Sequence, residues 1–452
     1  DTVCTSCSTP VEVVLRGEDD DGDPLTFQIE TSPLHGWLDT NDLPRVTYHP
    51  DRNFCGEDEF FFTVYDGHLS SAPAQVRIFV EYQEEWIVRH LDIPAYSLIR
   101  SELDNAGRLH VVFDKMFFGY RFCYACLTPS DTHVEKYRFC WMEADSIAVD
   151  RNTGRIHFVM CEHWSHNSWY YSKPDVDKSI DRGPEIITKN VAGEGSYKRY
   201  GICVKVLSNG HPVVAYMEPV DTHENSVESI RVRIVERINP NPNNPDAYDW
   251  VLLDGNKEWI NSKISDECLD VDPSGKVYFV RISGDSLFYW DEVIRTIPRV
   301  HSVARIRVDA KGVLHILTQT RSNNWAYLQW ESNSQWQVEE LRVKTEEGEW
   351  VPLWISDVHE IAFDIDDNAA MHIAYTPALN TGERSIRYMN NLVRDEEGHW
   401  LNQTVVDSGG GGVTGRDGYH SISLSARGDG EVHITASFFS EEESDWHLVY
   451  IT

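Results

Sequence analysis

No apolar run in the 452-residue chain approaches the ~20 consecutive residues that a helix needs to cross a bilayer. Insertion through a hydrophobic helix is therefore not expected. Positive charge is also scarce: 40 Lys and Arg stand against 73 Asp and Glu, a formal net charge of −33. Nucleic acid and anionic membrane surfaces are polyanions, so neither is expected as a partner. The first residue is Asp and no signal peptide is visible; a mature chain after processing has this form, and so does a trimmed one. What the chain does have is length for two or three domains and a large core. Aromatics make up 12% of residues, with 15 Trp, which excludes a disordered acidic tail. The acidic surplus suits a secreted or cell-surface protein, and its Asp-rich loops suit calcium. At the least it favours solubility.

Nine cysteines make an odd set, and two pairs, "CTSC" and "CYAC", have CxxC spacing. No His follows either pair, which argues against covalent haem attachment. Cys4, Cys7, Cys123 and Cys126 can be written as a Cys4 zinc site, but it would have to join two domains. Disulfides formed in an oxidising compartment are the favoured expectation, with one Cys left over.

Residues 1–82 read as a row of short alternating strands split by turn residues: "VEVVLRG", "LTFQIET", "GWLDT", "RVTYHP", "DEFFFTVYDG" and "AQVRIFVEY". That pattern predicts a β-sandwich. The phrases "GEDDDGDPLTFQIETSPLHGWL", "VTYHPDRNFCGEDEFFFTVYDG" and "SSAPAQVRIFV" resemble the bacterial Ig-like and cadherin-like tandem domains of surface proteins. The resemblance implies a spacer or adhesion module. It also puts "EDDDGD" at the turn after the first strand, where Asp19, Asp21 and Asp23 offer carboxylates to one calcium ion, with Asp66 approaching from the other end.

The remaining residues, 83–452, repeat themselves. "SLIRSELDNAGRLHVVF", "SIAVDRNTGRIHFVM", "GICVKVLSNGHPVVAY", "CLDVDPSGKVYFV", "ARIRVDAKGVLHILT", "IAFDIDDNAAMHIAY" and "SISLSARGDGEVHITA" are each strand, turn, strand. A third and a fourth strand often follow. Four strands per repeat at this period predict a β-propeller, and seven copies predict seven blades. The seventh copy ends without its outer strand, while "EEWIVRHLDI" lies before the first copy. Pairing of residues 84–92 with the C-terminal strand is expected to complete that sheet and remove two exposed edges. The fold class is thus all-β, an Ig-like sandwich followed by a closed seven-bladed propeller.

Candidate site residues follow from the repeat register. His110, His157, His315, His372 and His433 share one place in the second strand, and equivalent places in different blades lie far apart. They are expected to pack the blades. Thirteen or fourteen residues before that second-strand place, five of the seven blades carry Tyr96, Tyr200, His301, His359 and His420, and the other two fall near Glu143 and Ser265; the five are expected at one mouth of the central channel and suited to a ligand or a proton-transfer step. The loop "CEHWSHNSW" adds His163, Trp164 and His166. Exposed Trp and Tyr stack on sugar rings, which makes carbohydrate the expected small ligand. Against an enzyme stands the absence of GxSxG, HExxH and P-loop patterns. The Asp-x-x-Gly turns also lack the final Trp of the SxDxGxxW Asp-box.

In blade number, and in having His, Tyr and Arg for a central cleft, the chain resembles secreted propeller polysaccharide lyases such as the ulvan lyases. A lyase needs a base beside the uronate carboxylate and a cation to neutralise it. His163, Tyr200 and Arg199 have that chemistry, but no lyase motif surrounds them. The leading expectation is a secreted or cell-surface binding or structural protein. Its partner would be a carbohydrate or another extracellular protein, and self-assembly is open to it. A polysaccharide lyase is the alternative.

Overall fold

The computed structural model describes residues 2–6, 10–19, 21–51, 56–81, 86–116, 120–128, 132–140, 142–162, 168–173, 185–188, 202–219, 230–239, 249–253, 259–260, 267–283, 286–290, 294–297, 300–330, 336–345, 348–378, 385–394, 398–407, 418–427, 431–440 and 445–452. Among these, regular structure is all strand except for one 3-10 turn at Ile355–Asp357. No described helix is long and apolar enough to cross a membrane. Two compact units emerge, residues 1–85 with 389–401 and residues 86–388 with 402–452.

The first unit is a sandwich of two sheets. One runs in the order Thr2–Ser6, Ala74–Glu81, Gly56–Tyr65, Thr26–Thr31, and the other Val11–Val14, Arg45–Pro50, Gly36–Asp42. Only the first pair is parallel. Alternation of side chains along each strand sends Val46, Tyr48, Phe60, Phe62, Val76, Ile78 and Val80 into one core. One carboxylate is buried with them. Asp58 accepts the N–H groups of Leu34 (2.9 Å) and His35 (3.0 Å) and the hydroxyl of Tyr48 (2.8 Å), which ties the chain before one strand to both sheets. Burial, and then the Asp58 carboxylate, push the Tyr48 hydroxyl far above the ordinary tyrosine range. Gly36 is required here, because a Cβ would lie 2.5 Å from the Tyr48 ring and 2.6 Å from the His49 carbonyl oxygen.

Besides a two-stranded ribbon of Arg342–Lys344 and Trp350–Pro352, the described residues outside the sandwich form seven sheets, six of four strands and one in which Trp259–Ile260 adds a fifth. Their first strands are Ser97–Leu103, Met142–Val149, Ile202–Val206, Leu269–Val271, Val300–Val308, Val358–Ile365 and Gly418–Ala426. Each of these strands touches the first strand of the next sheet, and the seventh touches the first. That closed ring of inner strands defines a seven-bladed propeller. Within six blades the four strands follow one another in sequence. Blade 7 is Gly418–Ala426, Val432–Ser440, Asp445–Ile451 and then Val88–Leu91. The last ladder pairs Leu448 with Leu91, Val449 with His90, Tyr450 with Arg89 and Ile451 with Val88, so the outer strand missing from the seventh repeat is supplied from before the first. Ile87 and Thr452 exchange backbone hydrogen bonds just beyond it, at 2.8 and 3.2 Å.

The repeated polar residues explain why the blades share one shape. At the turn after the first strand, Asp104, Asp272, Asp309 and Asp366 each accept backbone N–H groups two and four residues on, at 2.8–3.0 Å. The repeated His then bonds through Nδ1 to a third-strand tyrosine hydroxyl: His110 to Tyr124 (2.7 Å), His157 to Tyr170 (2.6 Å), His315 to Tyr327 (2.8 Å), His372 to Tyr388 (2.6 Å) and His433 to Tyr450 (2.7 Å). In blade 1 the other ring nitrogen meets Asp104 at 3.1 Å. In blades 5 and 6 it faces Asp309 at 3.5 Å and Asp366 at 3.8 Å. In blade 1, and more loosely in blades 5 and 6, a buried Asp–His–Tyr chain thus ties turn, second strand and third strand; in blades 2 and 7 the His–Tyr bond joins the second and third strands, and these histidines are blade packing. Blade 4 substitutes Tyr278, whose hydroxyl donates straight to Asp272 at 3.2 Å.

Candidate functional site

The inner strands deliver a second repeated position to the channel. Two residues before the turn aspartate, or its equivalent, stand Glu102, Ala148, Lys205, Asp270, Arg307, Asp364 and Ser425, in order of blades. All but Ser425 line a cavity of about 410 Å³ at the turn end of the channel. A smaller cavity of about 30 Å³, which shares Glu102, Lys205 and Arg307 with it, continues inward past Arg100, Ser146 and Cys203. Neighbouring turns brace the mouth. Asn105 Nδ2 donates to the Arg151 carbonyl (2.6 Å), and Asn152 Nδ2 donates to the Ser208 carbonyl (3.3 Å). Arg151 of blade 2 also reaches Asp367 of blade 6 at 3.8 Å.

The charges inside compensate one another unevenly. Arg307 is fully engaged: Nε donates to Asp364 (2.6 Å), Nη1 to the Ile306 carbonyl (2.9 Å), and Nη2 lies 2.7 Å from Glu267. Arg305 supports Glu267 at 2.9 Å. Burial alone would raise the Glu267 carboxyl, but the Arg307 and Arg305 guanidinium groups outweigh it and hold the group at about 2. Lys205 is held more loosely. Its ammonium lies 3.4 Å from Glu102 and 3.8 Å from Asp270. Burial pushes the Lys205 ammonium down, and the two carboxylates more than reverse that. Glu102 is drawn below the usual carboxylate range against its own burial, chiefly by Lys205. Asp270 goes the other way, because burial outweighs the pull of Lys205 and Arg307. One Asp270 oxygen accepts the Val308 N–H at 2.7 Å, and the other faces Lys205. The cavity therefore presents an ammonium between two carboxylates, a donor beside acceptors, with room above them.

The set read from the 13–14-residue register lies elsewhere. Tyr96, His301, His359 and His420 stand just before or near the beginning of inner strands, whereas the cavity forms where those strands end. Tyr96 packs edge-on against Trp446, ring centroids 5.3 Å apart, and donates its N–H to the Asp114 carbonyl. His359 is exposed, and His301 and His420 are placed by their backbone alone. Tyr200, His163, His166, Trp164 and Arg199 lie outside the described residues.

In the sandwich, one Asp19 carboxylate oxygen accepts the N–H groups of Asp21 (3.1 Å) and Asp23 (2.9 Å). Asp66 likewise accepts those of His68 (2.6 Å) and Leu69 (2.7 Å). Among the described residues, no three or more His, Cys, Asp or Glu are grouped to hold a metal ion. The four-cysteine zinc arrangement fails on strand geometry. Cys123 and Cys126 are three residues apart on Tyr120–Leu127, so they face opposite sides of the blade and enter different core clusters. Cys4 is exposed, and Cys123, Cys126, Cys203 and Cys268 are buried.

The cavity residues carry a signal in the sequence that the His and Tyr register overshadowed. A charged residue recurs two positions before the turn residue in five of seven copies, as Glu102, Lys205, Asp270, Arg307 and Asp364.

Residues 1–79 match the family model of the bacterial Ig domain, a module that points to an extracellular or surface protein. No curated protein matches the chain. Among solved structures, the chain is similar to AofleA from Arthrobotrys oligospora, with 9% identity, TM-score 0.38, and 79% of this chain and 83% of that one covered. A quinonprotein alcohol dehydrogenase-like protein from Bacteroides thetaiotaomicron is similar at 8% identity and TM-score 0.39, covering 100% and 91%. The NanB sialidase from Streptococcus pneumoniae is similar at 12% identity and TM-score 0.39, covering 92% and 87%.

Proposed function

We propose that the chain is an extracellular or cell-surface binding protein whose propeller channel takes a small neutral carbohydrate. The observation that carries this reading is the loosely held Lys205 between Glu102 and Asp270 at the floor of the 410 Å³ cavity. Such a volume is at the small end of ligand pockets, roughly 300–1,000 Å³. Adjacent sugar hydroxyls both donate and accept. An ammonium can donate to one hydroxyl while flanking carboxylates accept from its neighbours, and each such charged hydrogen bond is stronger than a neutral one. The surplus of negative charge disfavours an anionic ligand. The bacterial Ig domain at residues 1–79 supports the extracellular setting.

Calorimetric titration with a panel of neutral mono- and disaccharides tests the proposal. Binding is expected to the wild-type protein, with little dependence on salt. The Lys205→Arg variant keeps the charge and changes the donor geometry; it should fold and lose about tenfold or more in affinity. A panel in which nothing binds, or equal binding by the variant, would sink the assignment. Appearance of the conjugated double bond of β-elimination when uronate polysaccharides are added would make the protein a lyase instead.

A further inference from the structure

We propose that Cys203 and Cys268 form a disulfide that joins blades 3 and 4 when the protein matures in an oxidising compartment. Their sulfurs lie 3.2 Å apart, and both residues are buried, 2% and 0% exposed. Cys203 is on the first strand of blade 3, two residues before Lys205, and Cys268 stands two residues before Asp270 at the start of blade 4. They occupy the same repeat position in adjacent blades. At that position two serines reach toward the following blade. Ser146 of blade 2 accepts the Val204 N–H of blade 3 at 3.2 Å, and Ser423 of blade 7 accepts the Ser101 N–H of blade 1 at 3.1 Å. The Cys203 side chain follows the same direction and meets a second sulfur where its equivalents meet an amide. A disulfide needs about 2.05 Å between sulfurs, so closing the bond requires a relative shift of only ~1 Å.

The chemistry balances with a small-molecule disulfide, such as an oxidised glutathione-type couple, as oxidant. One cysteine loses its proton, and the thiolate attacks that disulfide and expels one thiol. The second cysteine, also deprotonated, displaces the other. Two protons and two electrons pass from the protein to the oxidant, one S–S bond forms in the chain, and one is cleaved in the oxidant. Because both sulfurs are buried once the blades dock, the exchange belongs to folding. The bond closes a loop of 65 residues and restricts the unfolded chain accordingly. The inference rests on the extracellular setting of the proposed function and is independent of the ligand.

The test uses the full chain exported to an oxidising compartment or refolded in a glutathione redox buffer. The protein is unfolded in an alkylating reagent without reductant, then digested and weighed. The Cys203 and Cys268 peptides should appear as one linked species, two hydrogens lighter than their sum, that separates on reduction. Quantitative alkylation of both thiols would overturn the proposal, and it would leave carbohydrate binding untouched. Reductant should also lower the melting temperature of the wild-type protein by roughly 5 °C and leave the Cys203→Ala/Cys268→Ala double variant unmoved. An equal shift in both would assign the effect to other cysteines and reject this pair. Peptide mapping decides the matter even if the double variant fails to fold.

Discussion

Single residues show how the blades are held. Tyr124 ends the buried chain that begins at Asp104, and its hydroxyl is the Nδ1 partner of His110 at 2.7 Å. Tyr124→Phe keeps the ring and removes that partner, leaving a buried nitrogen unpaired. A loss of about 1–3 kcal/mol in propeller stability is expected, with carbohydrate affinity unchanged. Denaturant titration beside calorimetry measures both; a stable variant that no longer binds would reverse the assignment of these histidines to packing. Ala369 offers the opposite sign. It takes the turn position where other blades carry glycine, at φ 64°, beside Gly107 at 76° and Gly312 at 77°. A left-handed conformation costs a non-glycine residue about 1–2 kcal/mol, part of which the greater freedom of unfolded glycine cancels. Ala369→Gly should therefore stabilise by about 0.5–1 kcal/mol, and any destabilisation in the same titration would refute the strain argument.

At the level of elements, the outer strand of blade 7 comes from the far side of the repeat. Removing residues 446–452 deletes most of the third strand of blade 7, leaves Val88–Leu91 without a partner and bares the edge of Val432–Ser440. Strong destabilisation and concentration-dependent association are expected in scanning calorimetry and light scattering, because a bare edge pairs with other chains. A truncated protein that melts like the parent would refute this. That pairing was legible in the sequence because strand alternation and a sevenfold repeat are local patterns, and a missing copy of one strand shows as a gap. The channel cavity was less legible. Lys205 and Asp270 are 65 positions apart in sequence, and only the closed ring brings them to 3.8 Å. In a linear reading a charged residue in a strand looks like a solvated face. His301, His359 and His420 drew the reading to the beginning of the strands because imidazole is the more familiar chemical signal, while the cavity opened at the other end.

For the whole molecule, acid should act in two stages. Burial lowers the His315 pKa, with Asp309 opposing. Below the ordinary value of about 6.5 the unfolded chain then takes a proton that the folded chain refuses, and stability falls as pH drops. The second stage comes from carboxylates. Glu267, Glu102, Asp272 and Asp366 all titrate lower in the folded chain than in the unfolded one. Their contribution is complete above the unfolded value of about 4 and disappears as pH falls toward about 2. Asp270, shifted upward, offsets a little of this by taking its proton earlier in the folded state. Melting temperature followed from about pH 8 to about pH 2 should be level at first, decline gently below ~6.5 and fall steeply below ~4. A level line down to about pH 4 would remove the histidine stage, and His315→Gln should shrink that stage to the part supplied by His90, which burial also lowers.

The ladder that completes blade 7 also has a mechanical meaning. Val88 faces Ile451 and Leu91 faces Leu448, so residues 87 and 452 emerge side by side at the same end of two antiparallel strands. Tension drawn between those two points would not load the four residue pairs together. It would peel them apart one after another, as a zipper opens, beginning with the bonds between Ile87 and Thr452. A propeller pulled in this way gives at blade 7 first and at low force, while the other six blades are still shut. Pulled instead through points on opposite blades, the same molecule must break whole sheets away from their neighbours. The direction of load, more than the number of hydrogen bonds, decides how much strain the ring can carry.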